Sequence, residues 1–413
     1  MIKKTSQMLA IPAREEDLKQ LDDMMKRLEG AAGFNVISTD FNDETLELEV
    51  DYIDDIYKVQ VYPISFQLPE FYRCQHLFPD VDIEALQEAE MGLAVEMEFG
   101  DEALPSYHLQ LKVIHTMLPD ALAVLDDSSE KILSGHWVAL AAESGVLPAP
   151  RYIYTAQAVS GDDDCVWLHT HGLNRCGLPE LEVLNSNKET YQFHYNVLET
   201  LANRLLELEE PLEPKEPFYL ARLTQDEALM ITLVDWEEAV ALYDINMLGG
   251  TVDRADGHNE DTCAIFVYPS EEAYNKGEYE PLMIYDELLK GNAIYMISNA
   301  ETQRMKELAA ERLGYMISAL EHGDCHILVK LGLTIDLQHR TENNQYEHIW
   351  FELLKAEGDR IWAKLTQEPY YIAGLHEGDE GWYTLKEITD WIIYTPERRI
   401  MPDDVYLLEI AFK

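Results

Sequence analysis

Residues 347–353 read Glu-His-Ile-Trp-Phe-Glu-Leu, a stretch in which apolar positions alternate with mixed ones. Ile349, Phe351 and Leu353 project to one side of an extended chain and Trp350 projects to the other, because side chains alternate along a strand. The stretch therefore predicts a β-strand that buries one of its two faces.

Turn sequences follow this strand at short intervals. Glu357-Gly358-Asp359 is typical of a hairpin turn and leads into a second alternating run at residues 361–365, and Gly378-Asp379 marks a later turn. Several short strands at such spacing are typical of a small barrel or a curled sheet. Residues 323–413 are thus predicted to form a small, mostly-β C-terminal module.

The remainder of the chain divides into three segments by pattern. A helical pattern over residues 15–29 and strict alternation over residues 46–51 predict a small α+β segment at residues 1–80. Residues 81–207 mix both patterns and predict a central α/β domain. Residues 218–322 alternate strands and helices and predict a third α/β segment.

A proline-rich acidic run separates the second and third segments. Residues 208–217 read Leu-Glu-Glu-Pro-Leu-Glu-Pro-Lys-Glu-Pro, and three prolines with four glutamates predict a stiff linker that serves as a hinge. A chain of 413 residues is also too long for one ordinary core. The predicted fold class is therefore α+β, in several domains.

Charge limits the classes of partner. The chain has 78 acidic and 31 basic residues and a formal net charge of −47, while 47% of its residues are hydrophobic. Such a surface repels phosphate backbones and anionic lipids, so we expect neither nucleic acid nor membrane as a partner. Solubility alone would explain the charge, and another protein, especially a basic one, would be attracted by it.

The sequence favours a cytoplasmic location. The apolar start at residues 8–11 is too short for a secretion signal, and no apolar run reaches the length that spans a bilayer. Five cysteines are scattered through the chain, an odd number that suits free thiols in a reducing compartment better than a disulfide framework.

Four possible metal ligands lie within twelve residues: Cys165, His169, His171 and Cys176. Thiolate and imidazole are zinc ligands, so one hypothesis is a site for zinc or another divalent metal. The spacing lacks a Cys-x-x-Cys pair, and the alternative is that the histidines form hydrogen bonds while the cysteines pack as small apolar residues. On that alternative we expect no cofactor.

Two further groups lie near this cluster. Arg175 precedes Cys176 and would help to activate a nucleophilic thiol, although the surroundings are largely acidic or apolar. Asp126, Asp127 and Glu130 could hold a hard cation, but acids and serines at such a position more often cap a following helix.

The C-terminal module offers a second candidate site. Glu347, His348, Trp350, Asp390 and Trp391 would line a groove if their side chains were exposed, and exposed tryptophans anchor protein partners well. The alternative is an aromatic core in which Asp390 caps a turn.

Residues 325–395 resemble a bacterial family of domains of unknown function, number 2314. The matching residues are Val329-Lys330, Glu347-His348-x-Trp350, Pro369, Gly378-Asp379 and Asp390-Trp391. Residues 107–205 resemble a second family, domain of unknown function 4026, whose likeness extends without a sharp motif over residues 1–106. The stretches that carry it are Leu125-Asp126-x-Ser128, Ser134-Gly135-x-Trp137 and Trp-Leu-His-Thr-His-Gly-Leu-Asn-Arg-Cys-Gly at residues 167–177.

The resemblance implies a cytoplasmic bacterial protein and brings no reaction or catalytic residues with it. Some such modules are neighbours of toxin–immunity systems. Since no complete catalytic set is visible, we expect a non-catalytic binding or regulatory protein, of which an immunity-like protein is one form. The alternative hypothesis is a metal-dependent hydrolase centred on His169 and His171. Binding residues are then expected among His169, His171 and Arg175 and in the C-terminal group.

Overall fold

Three β-sheets with helices packed on them make up the chain, as described by a computed structural model. The structure describes residues 4–31, 33–42, 44–70, 72, 78–161, 164–208, 211–254, 261–291, 299–341 and 345–412. Residues 1–142 with 148–296 form one compact unit, and residues 143–147 with 297–413 form another. The predicted α+β, multidomain class is confirmed.

The strands are numbered in chain order. They are β1 Ser6–Pro12, β2 Asn35–Asn42, β3 Thr45–Tyr52, β4 Asp55–Ser65, β5 Met91–Met97, β6 Ala121–Asp126, β7 Lys131–Ser134, β8 Thr155–Ser160, β9 Cys165–His171, β10 Glu180–Asn187, β11 Phe218–Arg222, β12 Ala228–Asp235, β13 Thr262–Val267, β14 Glu280–Pro281, β15 His326–Thr334, β16 Tyr346–Glu357, β17 Arg360–Leu365, β18 Glu380–Thr384, β19 Ile388–Tyr394 and β20 Arg399–Ile400.

The α-helices are numbered in the same way. They are α1 Leu21–Glu29, α2 Ile83–Glu88, α3 Ala103–Met117, α4 Gly135–Glu143, α5 Tyr191–Leu205, α6 Trp236–Val240, α7 Glu271–Lys276, α8 Asp286–Gly291, α9 Asn299–Glu311, α10 Leu313–His322 and α11 Leu408–Ala411. Among the described residues, no helix is long and apolar enough to cross a membrane.

The first sheet has the order β2-β3-β4-β5-β1-β6-β7. The predicted strand at residues 46–51 lies in β3, where Leu46, Leu48 and Val50 are buried as its alternation requires. Strand β1 pairs with β5 on one side and β6 on the other. The sheet therefore runs through the predicted boundary at residue 80, because the first strand of the chain completes its pairing only with strands that follow that boundary.

The second sheet has the order β11-β12-β13-β10-β9-β8, and β14 pairs with β13. Strands β10 and β13 are parallel, so residues on both sides of the run 208–217 share one sheet. In the described part of that run, Lys215 donates its backbone N–H to Leu233, and Leu212 packs against the core. Residues 211–217 are thus docked on the sheet, whereas the predicted stiff linker was expected not to pack; residues 209–210 lie outside the described part.

The third sheet is antiparallel throughout, with the order β18-β17-β16-β15-β19-β20. Ile349, Phe351 and Leu353 are buried, which confirms the alternation of the predicted strand. Helices α9 and α10 belong to the same unit, since the indole N–H of Trp391 donates to the carbonyl of Ala309 at 3.0 Å. The C-terminal module therefore begins before residue 323.

Candidate functional site

A cavity of about 280 Å³ lies where the second sheet meets β1 and the turn between β6 and β7. Its lining combines charged, hydroxyl and aromatic side chains. The lining residues are Lys4, Thr5, Gln7, Ser128, Glu130, Trp167, His169, Thr170, His171, Gly172, Asn174, Arg175, Glu180, Glu182 and Thr262. Three residues predicted as binding residues, His169, His171 and Arg175, therefore come together here.

Strand β9 supplies one wall through its alternation. Val166 and Leu168 face the core that α5 covers, whereas Trp167 and His169 lie on the other side of the sheet. The rings of Trp167 and His169 stack with centroids 4.2 Å apart, and the ring of His171 meets that of His169 edge-on at 4.9 Å. Three rings thus form a continuous wall.

A buried ion pair fixes the inner end of this wall. Arg254 pairs with Glu182, and both side chains are at most 1% exposed. The indole N–H of Trp167 donates to the same carboxylate at 3.0 Å, and the Arg254 guanidinium lies 5.4 Å from a Trp167 ring centroid. The ring wall is consequently held from behind by charge-assisted hydrogen bonds.

Glu180 holds the loop that follows β9. Its carboxylate accepts hydrogen bonds from the Thr170 hydroxyl at 2.7 Å, the Gly172 N–H at 2.8 Å and the Asn174 N–H at 3.1 Å. Burial raises the pKa of Glu180, against these three donors, which favour its ionised form. Glu180 therefore shapes the cavity floor by orienting backbone N–H groups.

Arg175 binds other parts of the protein. It is 1% exposed and donates two parallel hydrogen bonds of 2.8 Å to Asp126, with a further bond of 3.0 Å to the Ser6 hydroxyl. The rings of Phe99 and Tyr107 lie 5.4 Å and 5.2 Å from the guanidinium. The residue predicted to assist a thiol is thus a buried cross-link between the first and second sheets.

The four predicted metal ligands are not brought together. Cys165 and His169 lie four residues apart on β9, about 13 Å along an extended strand. Cys176 packs against the core on the opposite side of the sheet from His169. Over the ranges described, no group of three or more His, Cys, Asp and Glu side chains is arranged to hold a metal ion. Sequence proximity failed here because strand geometry spreads neighbours apart.

The three acidic residues near the end of β6, Asp126, Asp127 and Glu130, have different partners. Asp126 pairs with Arg175, Asp127 accepts a hydrogen bond of 2.6 Å from the Tyr72 hydroxyl, and Glu130 lies at the cavity rim. The expected helix cap is wrong, because residues 131–134 form strand β7. Glu130 adopts a φ of 52°, a left-handed conformation in the turn between the two strands.

Strand alternation also separates the predicted C-terminal group. Trp391 is fully buried, and Glu347, which is 9% exposed, accepts the backbone N–H groups of Tyr370 and Tyr371 at 2.7 Å and 2.9 Å. Trp350 and Asp390 lie on the other face of the sheet, on either side of Lys330.

His348 shares that face: it pairs with Gly332 two positions along the strand, and its Nδ1 lies 3.1 Å from the Thr389 hydroxyl. Burial lowers the pKa of His348, and two nearby lysines add to the effect. Three of the five predicted residues, His348, Trp350 and Asp390, therefore share one face of the third sheet.

Two tryptophans that sequence reasoning missed complete this face. Trp362 pairs with Trp382 across β17 and β18, and their ring centroids are 5.5 Å apart. Lys355 lies over Trp382 at 5.7 Å, as Lys330 does over Trp350 at 5.6 Å. We call this set the tryptophan face: Trp350, Trp362 and Trp382 with Lys330 and Lys355. The alternation of side chains along β17 and β18 is the sequence signal that could have placed Trp362 and Trp382 on this face.

Family comparisons cover most of this architecture. A model described as protein of unknown function (DUF4026) N-terminal matches residues 6–148, and its C-terminal counterpart matches residues 156–266. Together they span more than half of the chain. The chain belongs to the DUF4026 family. Residues 298–401 match DUF2314, described as an uncharacterized protein conserved in bacteria, so the expected combination of families is confirmed.

Neither a search of curated proteins nor a search of solved structures found a match. In this DUF4026 protein the cavity lies between the two family domains. Gln7, Ser128 and Glu130 come from the N-terminal match and His169 and His171 from the C-terminal one. The tryptophan face lies in the DUF2314 domain.

One hydrogen-bond chain in the DUF4026 unit has the composition of a catalytic triad. The Ser186 hydroxyl lies 2.7 Å from His194 Nδ1, and His194 Nε2 lies 2.8 Å from Asp286. Ser186 and His194 are 1% and 0% exposed, so the hydroxyl has no access to a substrate. Burial lowers the pKa of His194, and the chain links β10, α5 and α8 as a structural element.

Proposed function

We propose that this DUF4026 protein is a non-catalytic binding protein that contacts a basic partner protein through its tryptophan face. The observation that carries the proposal is an open sheet face that presents the Trp362–Trp382 pair, with Trp350 on the same face further along β16, while the opposite face is already buried. Trp382 is 42% exposed, and Trp350 and Trp362 are half-buried.

Tryptophan is the residue type most enriched among energetic hot spots of protein interfaces, because it buries a large rigid surface at little entropic cost. Antiparallel sheets often keep one solvated face, but such faces usually carry polar side chains. Three half-buried or exposed indoles on one such face, two of them in contact, are therefore better accounted for by a partner than by solvent.

The net charge of the chain supports a basic partner. A net charge of −47 attracts a basic protein over a distance and accelerates its encounter. On the face itself, Glu352 and Glu380 flank Lys364 in one row across the strands, beside the tryptophans. Glu380 accepts the Trp362 indole N–H at 3.0 Å and Glu352 lies 3.4 Å from His326 Nε2, and each carboxylate keeps further acceptor positions for the lysines or arginines of a basic partner. Antagonism of a basic protein, as by an immunity protein, is one form of such binding.

A non-catalytic role is supported by how the reactive groups are used. Arg175 is held by Asp126, the Ser186–His194–Asp286 chain is buried, and the cysteine–histidine set is dispersed. Hydrolysis centred on His169 and His171 has no comparable support. A cytoplasmic location fits the four described cysteines, none of which forms a disulfide with another described residue; Cys74 lies outside the described residues.

The test compares Trp382→Ala with Tyr315→Ala. Tyr315 is the matched control, since it is 41% exposed but lies on α10 and off the sheet. Each variant and the wild type would capture partners from bacterial lysate at low salt, and any captured protein would then be purified and titrated by calorimetry.

We expect a basic protein that binds the wild type and Tyr315→Ala alike and binds Trp382→Ala at least about tenfold more weakly. Equal affinity for all three proteins, or the capture of acidic partners alone, would contradict the proposal.

A further inference from the structure

We propose that the cavity between the two DUF4026 domains is a binding site for a small organic cation, a primary amine of up to about four carbons. This site is independent of the tryptophan face, which lies in the other compact unit. Available acceptors, local charge and cavity size support it.

The cavity rim carries acceptor atoms that the described residues leave open. Glu130 Oε2 accepts from the Gln157 amide at 2.9 Å and lies 3.6 Å from His171 Nε2, whereas Oε1 of Glu130 has no donor among the described residues. Gln7 uses its amide N–H toward Glu96 and its backbone N–H toward Ser128, so its side-chain oxygen is also open within the described structure. An ammonium group, with three N–H donors, matches such acceptors.

Glu130 is held in place for this role. Its left-handed φ of 52° is uncommon for a residue with a side chain, and the Gln157 bond fixes its carboxylate. About a third of the side chain remains exposed, which leaves the carboxylate accessible to a ligand. Uncommon backbone conformations of this kind concentrate at ligand sites.

Local charge selects a cation over an anion. Three carboxylates line the cavity, those of Glu130, Glu180 and Glu182, against the cations of Lys4 and Arg175. Arg175 is neutralised by Asp126, and Glu182 by Arg254. Glu180 is held by three hydrogen bonds within its own loop, so Glu130 is the lining carboxylate with an open oxygen, in a chain whose net charge is −47. A small anion would meet repulsion both at the site and on its approach.

The cavity volume limits the size of the ligand, and the lining side chains favour a ligand with methylene groups. A cavity of about 280 Å³ lies at the lower end of the range for small-molecule sites, which suits a metabolite of a few heavy atoms. The rings of His169 and His171 meet edge-on, and their carbon atoms give the methylene groups of an alkylamine apolar atoms to contact. The ammonium would bind at Glu130 with the carbon chain along this wall.

Three probes of equal length test the proposal on the full chain: butane-1,4-diamine, butane-1,4-diol and succinate. Each would be added at millimolar concentration while the melting temperature is recorded and binding is measured by calorimetry. The variants are Glu130→Gln, which keeps the side-chain shape, and the control Glu237→Gln, which removes an exposed carboxylate outside the cavity lining.

We expect the diamine to raise the melting temperature of the wild type and of Glu237→Gln, with little effect of the diol or succinate. Glu130→Gln should weaken diamine binding by about ten- to a hundredfold, since the negative charge that faces the ammonium is lost while an oxygen acceptor remains. Equal effects of diamine and diol, unchanged binding to Glu130→Gln, or no diamine binding to the wild type would each overturn the proposal.

Discussion

At the scale of single residues, several charged side chains are buried, and their partners decide how much that burial costs. Arg175 and Arg254 lie within the protein because Asp126 and Glu182 neutralise them. Among the described residues Asp390 has no ion-pair partner of this kind: its carboxylate is 6% exposed and accepts the N–H of Trp391 at 2.8 Å. Burial raises the pKa of Asp390 to about 6, although that hydrogen bond and the nearby Lys330 oppose the change.

We predict that Asp390→Asn stabilises the DUF2314 domain at pH 8. A carboxyl group whose pKa is higher in the folded state binds its proton more tightly there, so ionisation destabilises the fold as pH rises from about 4 to 6. Asparagine removes that penalty and still accepts the Trp391 N–H. The gain should be about 1–3 kcal/mol at pH 8 and vanish near pH 4, measured by urea unfolding.

Asp324→Asn serves as the control, since Asp324 is exposed and should show no such difference between the two pH values. A gain for Asp390→Asn of the same size at both pH values would mean that its ionisation is not the cause.

At the scale of elements, the ring wall of β9 depends on a glycine in the connection after α6. Gly249 has a φ of 76°, and a Cβ atom there would lie 2.7 Å from the Trp167 ring. Its carbonyl also accepts a hydrogen bond of 2.8 Å from Arg254. Trp167 can therefore keep its contacts with Arg254 and His169 undisturbed only if residue 249 has no side chain.

We predict that Gly249→Ala destabilises the DUF4026 unit more than Gly277→Ala does. Gly277 has a similar φ of 69° but has no heavy atom within 4 Å of the Cβ position, so its substitution reports the conformational cost alone, about 1 kcal/mol. The steric clash at Gly249 should add about 1–3 kcal/mol in chemical denaturation. Equal losses for the two variants would show that the indole moves aside freely.

At the scale of the whole molecule, domain limits follow from contacts that the chain makes far along its sequence. In the C-terminal unit, Arg304 of α9 pairs with Asp403 at 2.9 Å, and Arg312 donates to the carbonyl of Pro402 at 2.7 Å. With the Trp391–Ala309 bond, these contacts tie residues 299–312 to the third sheet. A module cut at residue 323 lacks all three.

We therefore predict that residues 297–413 unfold cooperatively as a fragment and that residues 323–413 do not. The shorter fragment would leave the indole N–H of Trp391 buried without an acceptor and the apolar side chains that face α9 and α10 exposed. Thermal unfolding followed by near-ultraviolet circular dichroism would separate them. A sharp transition in the shorter fragment would place the domain boundary at residue 323.

Local sequence was enough for the α+β class, the strand alternation of residues 46–51 and 347–353, and the resemblance to two families. Those features rest on side-chain periodicity and short motifs, which act over a few residues. The sequence also predicted His169 and His171 as binding residues, and both line the cavity.

Only the tertiary structure decided how distant segments combine. Strand β1 completes its sheet beside β5 and β6, and β10 pairs with β13, so two of the three boundaries drawn from sequence, at residue 80 and at residues 208–217, are crossed by sheets. Arg175 meets Asp126 at a separation of 49 residues, and Glu130 reaches the cavity through a turn. Strand pairing and ion pairing join residues that are close in space but distant in sequence. A local sequence pattern does not specify which distant segments will be in contact.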